Sequence, residues 1–570
     1  MRSSARSAWE VEVQFHPAAP STQGDAPAPA AGSSVSSGMP RPHTPSPLTR
    51  LGASAVDVLV VGGGITGACV ALDAARRGMS VALIDRGDYG AGATTNCLRI
   101  VHGGLRYLQH LDLARARASI SERSRWLRAA PHLVDPLPVV VPTWAGRFPP
   151  RWMIGGALAL NELLSADRNR GIPQEQQLAH SRVLSRREVV SMVPALDNPG
   201  LTGGALFHDA IMYSPDRLVQ EVLAAARALG AVTGNHISFE GAILEQGRIR
   251  GAQLRDMLTG EVSEVRAQQI VNAAGSAAPQ VAALLTGRPA PRMPAMSLAM
   301  NLVTAHAGEG PAFTLLGGAG DPDRVAKNAA RQLFVVPWRG QRLIGTAHLP
   351  LRDGVVPTAV EEEDVERFLH EVRTASPALP ISRDEVRVVQ WGLLPVAGPA
   401  KGAQVRLLKE EQVHDHAAEG AAGSYSVVSI KFTTARQLAA RVVDRFAGGR
   451  RGPAQLELPG HDGVAPAARL ADARTRYGAL LPADVLEHLL RSYGARYEQV
   501  LALRESVPGW DERVVPEAPV IRAQLAYGAL REEARTVDDL LMRRTELGPR
   551  GLIDVRSSEI ADEVLAGRRT

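Results

Sequence analysis

The sequence predicts an α/β fold: a Rossmann-like dinucleotide-binding domain, an antiparallel β domain interleaved with it, and an α-helical domain at the carboxy end. Three observations carry this. Residues 55–107 open as strand, glycine turn, helix and second strand. Residues 296–395 change to strand patterns, and beyond residue 460 the pattern turns helical to the end. At 570 residues the chain exceeds one ordinary core, and about three or four domains are expected.

Residues 56–61 are a short β-branched apolar run, suited to a parallel strand buried on both faces. Gly62, Gly64 and Gly67 follow as G-x-G-x-x-G, with Gly63, Ile65 and Thr66 completing the motif, and residues 65–77 continue as a helix closed by Gly78. The glycines permit a tight turn, close backbone approach to a pyrophosphate and close helix–strand packing. The helix start then presents free N–H groups and partial positive charge to phosphate. A second strand over 80–84 ends at Asp85-Arg86. The Asp85 carboxylate falls about 20 residues past the turn, where a dinucleotide ribose needs an acceptor. A nicotinamide enzyme would use the same turn, but a second βαβ half is missing after Asp85, where ATTNCLRIVHGG stands instead.

Composition narrows the function classes. A net charge of +5 with no basic run interleaved with aromatics excludes a nucleic-acid binder. Two cysteines, Cys69 and Cys97, exclude a disulfide framework or a cysteine metal cluster, and no metal is expected; the usage fits a reducing, cytoplasmic compartment. No apolar run reaches the ~18 residues of a membrane span. Residues 152–164 come nearest and read as a core helix or as a segment dipping into a membrane surface. Of 64 basic residues only Lys327, Lys401, Lys409 and Lys431 are lysine, so a lysine is the more informative cation.

Residues 1–54, rich in Pro, Ala and Ser, are expected to be a disordered tail, with translation starting as late as Met39. Glu10, Glu12 and Asp25 argue against a mitochondrial presequence. Residues 111–130 read as a helix with arginines on a solvated face, and 131–150 as a proline-punctuated connection. Ser214-Pro215-Asp216 starts a helix. Residues 237–254 suggest a hairpin turning at Gln246-Gly247, and 269–275 a returning strand. Strands are expected over 297–304, 332–337 and 342–346, then a helix opened by a Thr358-x-x-Glu361 capping box. An apolar strand over 426–430 precedes Lys431-Phe432-Thr433-Thr434, which opens a helix suited to a second cofactor contact. Near the end, Thr536-x-x-Asp539 caps a helix that Gly548 and Pro549 terminate, with Arg543 and Arg544 complementing its dipole. Residues 451–570 form a helical cap domain in this reading.

These residues resemble the FAD-dependent glycerol-3-phosphate dehydrogenases, with points of similarity from about residue 56 to 563. The opening strand and helix match, as do Thr94-Thr95 and the stretch Val101-His102-Gly103-Gly104-Leu105-Arg106-Tyr107-Leu108. So do Ala130 to Leu133, Asn272 to Gly275, Val336-Pro337-Trp338, Ile344-Gly345-Thr346, and Lys431 with Thr433, Thr434 and Arg436. The carboxy-terminal REEARTVDDLLMRRTELG is similar to the family's helical cap. The resemblance implies a glutathione-reductase/D-amino-acid-oxidase type FAD domain over 55–450, with a substrate part at about 292–400. It implies non-covalent FAD held by residues 62–67, Asp85, Arg86, Thr94, Thr95, the 101–104 segment, Ala274, Gly275 and residues 431–434. It further implies oxidation of a secondary alcohol on a small phosphorylated substrate, with electrons passed to a quinone or oxygen. A peripheral position on the inner face of the cytoplasmic membrane and a homodimer belong to the same expectation.

By this carry-over Arg106 and Lys431 hold anionic substrate and stabilise developing charge, while Tyr107 frames the pocket. His102 is a proton acceptor or a histidine bonding backbone near the flavin. The sequence departs from the family where Leu98-Arg99 replaces a serine-lysine pair, Met300 replaces a histidine, Leu394 replaces a substrate-phosphate arginine and Ser429-Ile430 replaces a glycine pair. Leucine supplies neither charge nor donors. An oxidoreductase of the same kind acting on another, unphosphorylated alcohol or amine therefore stands beside the glycerol 3-phosphate reading. A flavin-binding protein without catalysis is the third alternative.

Overall fold

A computed structural model describes residues 46–147, 149–289, 293–305, 310–320, 330–351, 356–379, 381–398 and 405–569. Two large sheets organise it. The first has a parallel centre: Ser424–Val428, Val262–Asn272, Val56–Val61, Val81–Ile84 and Val232–Gly234 lie side by side in that order, with Gln412–Asp415 antiparallel at one edge. The central strands are buried on both faces, as their continuous apolar runs require. Val61 sits beside Ile84 on one side and Asn272 on the other, and Asn272 beside Ser426. The segments that follow these strands therefore emerge together along one carboxyl edge, where open α/β sheets bind ligands. Helix Ile65–Arg76 covers the sheet, with Pro215–Ala228 and Ala435–Val443 packed against it.

The second sheet carries nine strands and curves around the other side of the cleft. Its path runs Val386–Pro395, Met296–Thr304, Gln341–Pro350, Ala330–Trp338, Ala312–Gly320, Val134–Trp144, Leu201–Met212 and Ile100–Val101. It thus reaches well outside residues 292–400. Residues 131–150 are not a connection: Val134–Trp144 is a strand despite Pro136, Pro138 and Pro142. These prolines share one parity, so their missing N–H groups fall along one edge. The strand keeps a full ladder with Leu201–Met212 and meets Ala312–Gly320 only at residues 139 and 140.

Other local expectations meet mixed outcomes. Ser214 accepts from the Arg217 amide and caps its helix, and the hairpin turns at Gln246-Gly247 with positive φ at both residues, as a two-residue turn requires. The Thr358–Glu361 box does not form; helix Glu362–Ala375 starts at Glu361 with no side-chain cap. Residues 46–52 are not disordered, because Pro47–Gly52 is a helix that buries Leu48 and Leu51; residues 1–45, with Met39, lie outside the described residues. Arg151–Leu164 is not a core helix: it buries Ile154, Leu158 and Asn161, and leaves Trp152 76% and Leu163 75% exposed. In Leu113–Ala129, Arg123 is buried rather than solvated.

The carboxy-terminal helices Pro466–Tyr477, Ala483–Tyr493, Arg522–Arg531 and Val555–Arg569 build two further small cores. They grip the first domain through buried charge. The Thr536–Asp539 box does form, but the helical turn after it is Asp539–Arg544 and stops before Gly548. Arg543 and Arg544 fall in the last turn of this segment, and both are also committed to a buried carboxylate. Arg544 meets both Asp88 oxygens at 2.6 and 2.9 Å, and Arg543 Nε meets Asp88 at 2.6 Å. Arg217 forms a two-point pair with Glu532 at 2.6 and 2.7 Å. Burial works against the Arg544 charge, and the Asp88 carboxylate more than offsets it. Removing one partner of such a pair costs about 3–5 kcal/mol, because the other charge stays buried and uncompensated. Asp88→Ala is accordingly expected to lower the melting temperature in scanning calorimetry, and Asp88→Leu with Arg544→Met to recover part of the loss. Asp88→Ala melting like the parent protein would contradict the grip.

Candidate functional site

A single cleft of about 2500 Å³ runs from the glycine turn to the second sheet. That is well beyond the ~300–1,000 Å³ of an ordinary small-ligand pocket and leaves room for a dinucleotide and a substrate together. Its nucleotide end is shaped by missing side chains. A Cβ on Gly67 would stand 1.8 Å from the Gly62 carbonyl oxygen, and one on Gly62 (φ +107°) 2.6 Å from the Ala273 carbonyl oxygen. Helix Ile65–Arg76 begins at Gly64, which has no side chain to cap it, so its first amides face the cleft; Thr94 Oγ1 accepts from the Ile65 amide at 3.2 Å. Asp85 accepts from the Gly63 amide at 2.7 Å and the Gly87 amide at 2.9 Å, while lining the cleft. Burial pushes its pKa up against the pull of those two amides. A bare helix start, a glycine cradle and an acid at the end of the second strand fit a dinucleotide pyrophosphate and ribose.

Most of the expected cofactor positions line this cleft: Gly62, Gly64, Ile65, Thr66, Asp85, Arg86 and Thr94 near the turn, then His102, Gly104, Ala274, Gly275, Lys431, Phe432 and Thr433. Six do not. Gly63 is packed where a Cβ would meet Tyr89 at 2.5 Å, and Gly67 serves helix–strand contact. Thr95 is buried, its hydroxyl 2.5 Å from Asp216 Oδ1 and 2.9 Å from the Gly90 carbonyl oxygen. Val101 lies in the core, Gly103 fits under Arg123, and Thr434 is turned to Glu411. These residues shape the walls from behind. Asp216, which holds Thr95, is pushed up to about 8 by burial and by Glu546 nearby.

The far end gathers the expected catalytic residues. Strand Ile100–Val101 pairs antiparallel with Leu201–Met212, Val101 opposite Ala210, so the next residues along, His102 and Asp209, come together. His102 Nδ1 meets Asp209 Oδ2 at 3.0 Å, leaving the ring half exposed to the cleft. Asp209 Oδ1 accepts from the Gly103 amide at 2.6 Å and from Arg123 at 3.1 Å. Burial raises the Asp209 pKa, but His102 and Arg123 overcome it and keep the carboxylate charged. The His102 ring meets a carboxylate rather than backbone, and its own amide N–H donates to the Thr433 side-chain Oγ1 at 3.1 Å. Thr433 O in turn accepts from Trp126 at 3.1 Å, which ties the Lys431 segment to His102. Lys431 Nζ stands 4.4 Å from the centre of the Tyr107 ring, next in sequence to Arg106, and burial lowers its pKa to about 8. Arg106, Tyr107, His102 and Lys431 all line the cleft.

Asp209 and Arg123 carry no motif, and an acid next to His208 in a strand reads as an outward polar position. Met300, expected to soften the pocket, faces away from the cleft into the second-sheet core; Ala299 and Asn301 line it instead. Leu394 does line the cleft. Arg99 is fully buried, stacked 3.8 Å over Trp338 and bonded to Gln390 at 3.1 Å. Strand Gln341–Pro350 adds an unexpected His348, whose Nδ1 is buried without a hydrogen-bond partner among the described residues. An unmet buried donor or acceptor of this kind costs about 1–3 kcal/mol.

The model of the FAD dependent oxidoreductase family matches residues 57–426, about two-thirds of the chain and all of the cleft-forming sheet except its last residues. The chain belongs to this family. A second model, the C-terminal domain of alpha-glycerophosphate oxidase, matches residues 453–565 of the oxidoreductase. The glycerol-3-phosphate dehydrogenase of Synechocystis sp. is 30% identical over 524 residues, covering 87% of this chain and 89% of its own length. The mitochondrial glycerol-3-phosphate dehydrogenase of Mus musculus is 29% identical over 531 residues, covering 89% and 69%. In fold, the oxidoreductase is similar to the glycerol-3-phosphate dehydrogenase from Bacillus halodurans complexed with FAD. There the TM-score is 0.66 at 21% identity, over 91% of this chain and 96% of the other. The cofactor of this FAD dependent oxidoreductase is FAD, and the glycine cradle accommodates it.

The cradle makes a direct prediction. Gly67→Ala drives a methyl group into the Gly62 carbonyl, with backbone on both sides. Purified protein is expected to carry less than about a tenth of the parent's flavin, read as the ratio of flavin to protein absorbance. Full flavin loading in this variant would contradict the assignment.

Proposed function

We propose that this oxidoreductase converts sn-glycerol 3-phosphate to dihydroxyacetone phosphate and passes the electrons to a quinone or another acceptor. One observation carries the reading: two cations, Arg106 and Lys431, line the same end of the cleft as a histidine held by a buried aspartate. The names of the relatives support it. FAD, when bound, accepts the hydride from the carbinol carbon. The protein does the rest. Asp209 fixes His102 through Nδ1, so Nε2 is the nitrogen that takes the hydroxyl proton as the carbon–oxygen double bond forms. Lys431, partly desolvated against Tyr107, orients the anionic substrate and offsets the negative charge that develops on the carbinol oxygen as its proton leaves. Arg106 holds the phosphate end.

Leu394 favours a second reading, oxidation of an unphosphorylated alcohol or amine, because it lines the cleft without charge or donor. Anaerobic addition of substrate to the yellow protein separates the two. Bleaching by glycerol 3-phosphate, and not by glycerol, is expected. Silence with glycerol 3-phosphate and bleaching by an uncharged alcohol or an amine would overturn the first reading.

The acceptor reading has its own support. Helix Arg151–Leu164 lines one wall of the cleft with Trp152, Met153, Gly156, Ala157 and Leu160, and leaves Trp152 and Leu163 largely exposed. No helix among the described residues is long and apolar enough to cross a membrane. An apolar helix of this kind suits a peripheral position on the inner membrane face and a quinone acceptor. Ala159→Glu with Leu163→Glu, both exposed and outside the cleft lining, is expected to abolish co-sedimentation with liposomes while leaving flavin bleaching intact; undiminished liposome binding would count against the placement.

Lys431 gives a pH signature. Its charge is present below about 8 and lost above it, since burial has lowered its pKa to that value. The kcat/KM for glycerol 3-phosphate is expected to fall as pH rises through about 8, with Lys431→Met lower by ~10–100-fold at neutral pH and flat in that range. A parent profile that is level from pH 7 to about 9.5 would contradict the role.

A further inference from the structure

We propose that His348 is a substrate ligand that holds the phosphate group together with Arg106, on the sheet floor where Leu394 supplies nothing. The inference deepens the glycerol 3-phosphate reading and rests on it for the identity of the substrate. Three observations carry it. The first is placement. Ala299, in the middle of the second sheet, pairs with His348 on one side and Gly392 on the other, so all three face one way, and Leu394 follows two residues after Gly392 on that same face. His348, Ala299, Gly392 and Leu394 all line the cleft. A small residue between the histidine and the leucine leaves the floor open above it.

The second observation is the unmet nitrogen. His348 Nδ1 is buried and has no hydrogen-bond partner among the described residues. Buried polar atoms in folded proteins are nearly always paired, and an exception at the floor of a binding cleft points to a ligand atom as the missing partner. The third is the charge around it. Burial, followed by the charges of Arg331 and Arg106, keeps the imidazole neutral, its pKa lowered to about 4. Arg331 is occupied by Glu371 at 2.6 Å. A neutral imidazole beside a cationic wall donates one N–H to an oxyanion without adding a second full charge. A phosphate monoester bridges these groups in a way that a hydroxyl or an ammonium does not: an ammonium would meet the positive field of Arg106, and a hydroxyl gains little from it.

The test uses the full-length, FAD-loaded protein with His348→Leu and His348→Asn. Leucine matches the size and removes the polar atom, so the fold and flavin content are expected to hold. Asparagine keeps an N–H donor near the Nδ1 position. For His348→Leu the KM for glycerol 3-phosphate is expected to rise at least tenfold with kcat changed less than threefold, and His348→Asn to recover most of the loss. Inorganic phosphate, read by its perturbation of the bound flavin's absorbance, is expected to bind the parent saturably and His348→Leu at least tenfold more weakly. The phosphate measurement does not depend on turnover. If the parent protein fails to oxidise glycerol 3-phosphate but binds phosphate through His348, the dehydrogenase reading falls and this one survives. Phosphate binding and KM in His348→Leu equal to the parent would overturn the proposal. So would absent phosphate binding in the parent, or equal loss in both variants together with lost flavin.

Discussion

The structure depends on how closely one helix can approach one strand. The carbonyl of Gly62 and the backbone of Gly67 touch so tightly that a single methyl group has no room, and this contact sets the start of helix Ile65–Arg76 directly over the end of Val56–Val61. Everything at the nucleotide end follows. The parallel registers bring the ends of three neighbouring strands level with that turn, so Asp85, Ala274 and the Lys431 segment gather around it. A sheet slipped by one residue would turn each of these groups to the opposite face.

The second sheet is coupled to the first by a shared apolar core, where Val101, Val134, Ala210 and Met212 join Val58, Val60 and Leu83, and by a polar network beside it. Asp209 collects a histidine, an arginine and a backbone amide; Thr433 links His102 to Trp126. Such networks are stabilising only when fully satisfied, and fully satisfied ones fix a unique geometry. That is what a hydride acceptor and a proton acceptor require of each other: their separation must be set before substrate arrives. The carboxy-terminal helices add a second clamp through Asp88, on the loop between Asp85 and Thr94, so the cofactor-facing loop is held from outside as well as from beneath.

Much of this was legible in the residues, for identifiable reasons. The glycine turn, the Asp85 carboxylate, the Ser214 cap and the Gln246-Gly247 hairpin are local: their chemistry lies within a few residues and survives any tertiary context. Arg106, Tyr107 and Lys431 were legible through resemblance, and their meeting in one cleft is a tertiary fact. What stayed hidden needed partners distant in sequence. Asp209 gains its role only from a strand over a hundred residues upstream. The strand through Pro136, Pro138 and Pro142 was disguised by residues that ordinarily break sheets, because parity along the strand decides whether a missing N–H matters. Met300 faces the core because it alternates with Ala299 and Asn301, the two neighbours that line the cleft. Arg543 and Arg544 sit in a last turn, as the local pattern predicts, but their partner Asp88 lies more than four hundred residues upstream.

The most direct measurement of the account is a crystal structure of the flavin-loaded protein. It predicts a pyrophosphate resting on the amides at the start of helix Ile65–Arg76, and an isoalloxazine ring lying between Lys431 and the strand Gln341–Pro350, within reach of His102. A flavin seated with its ring remote from Lys431, or a pyrophosphate bound away from Gly62–Gly67, would contradict it.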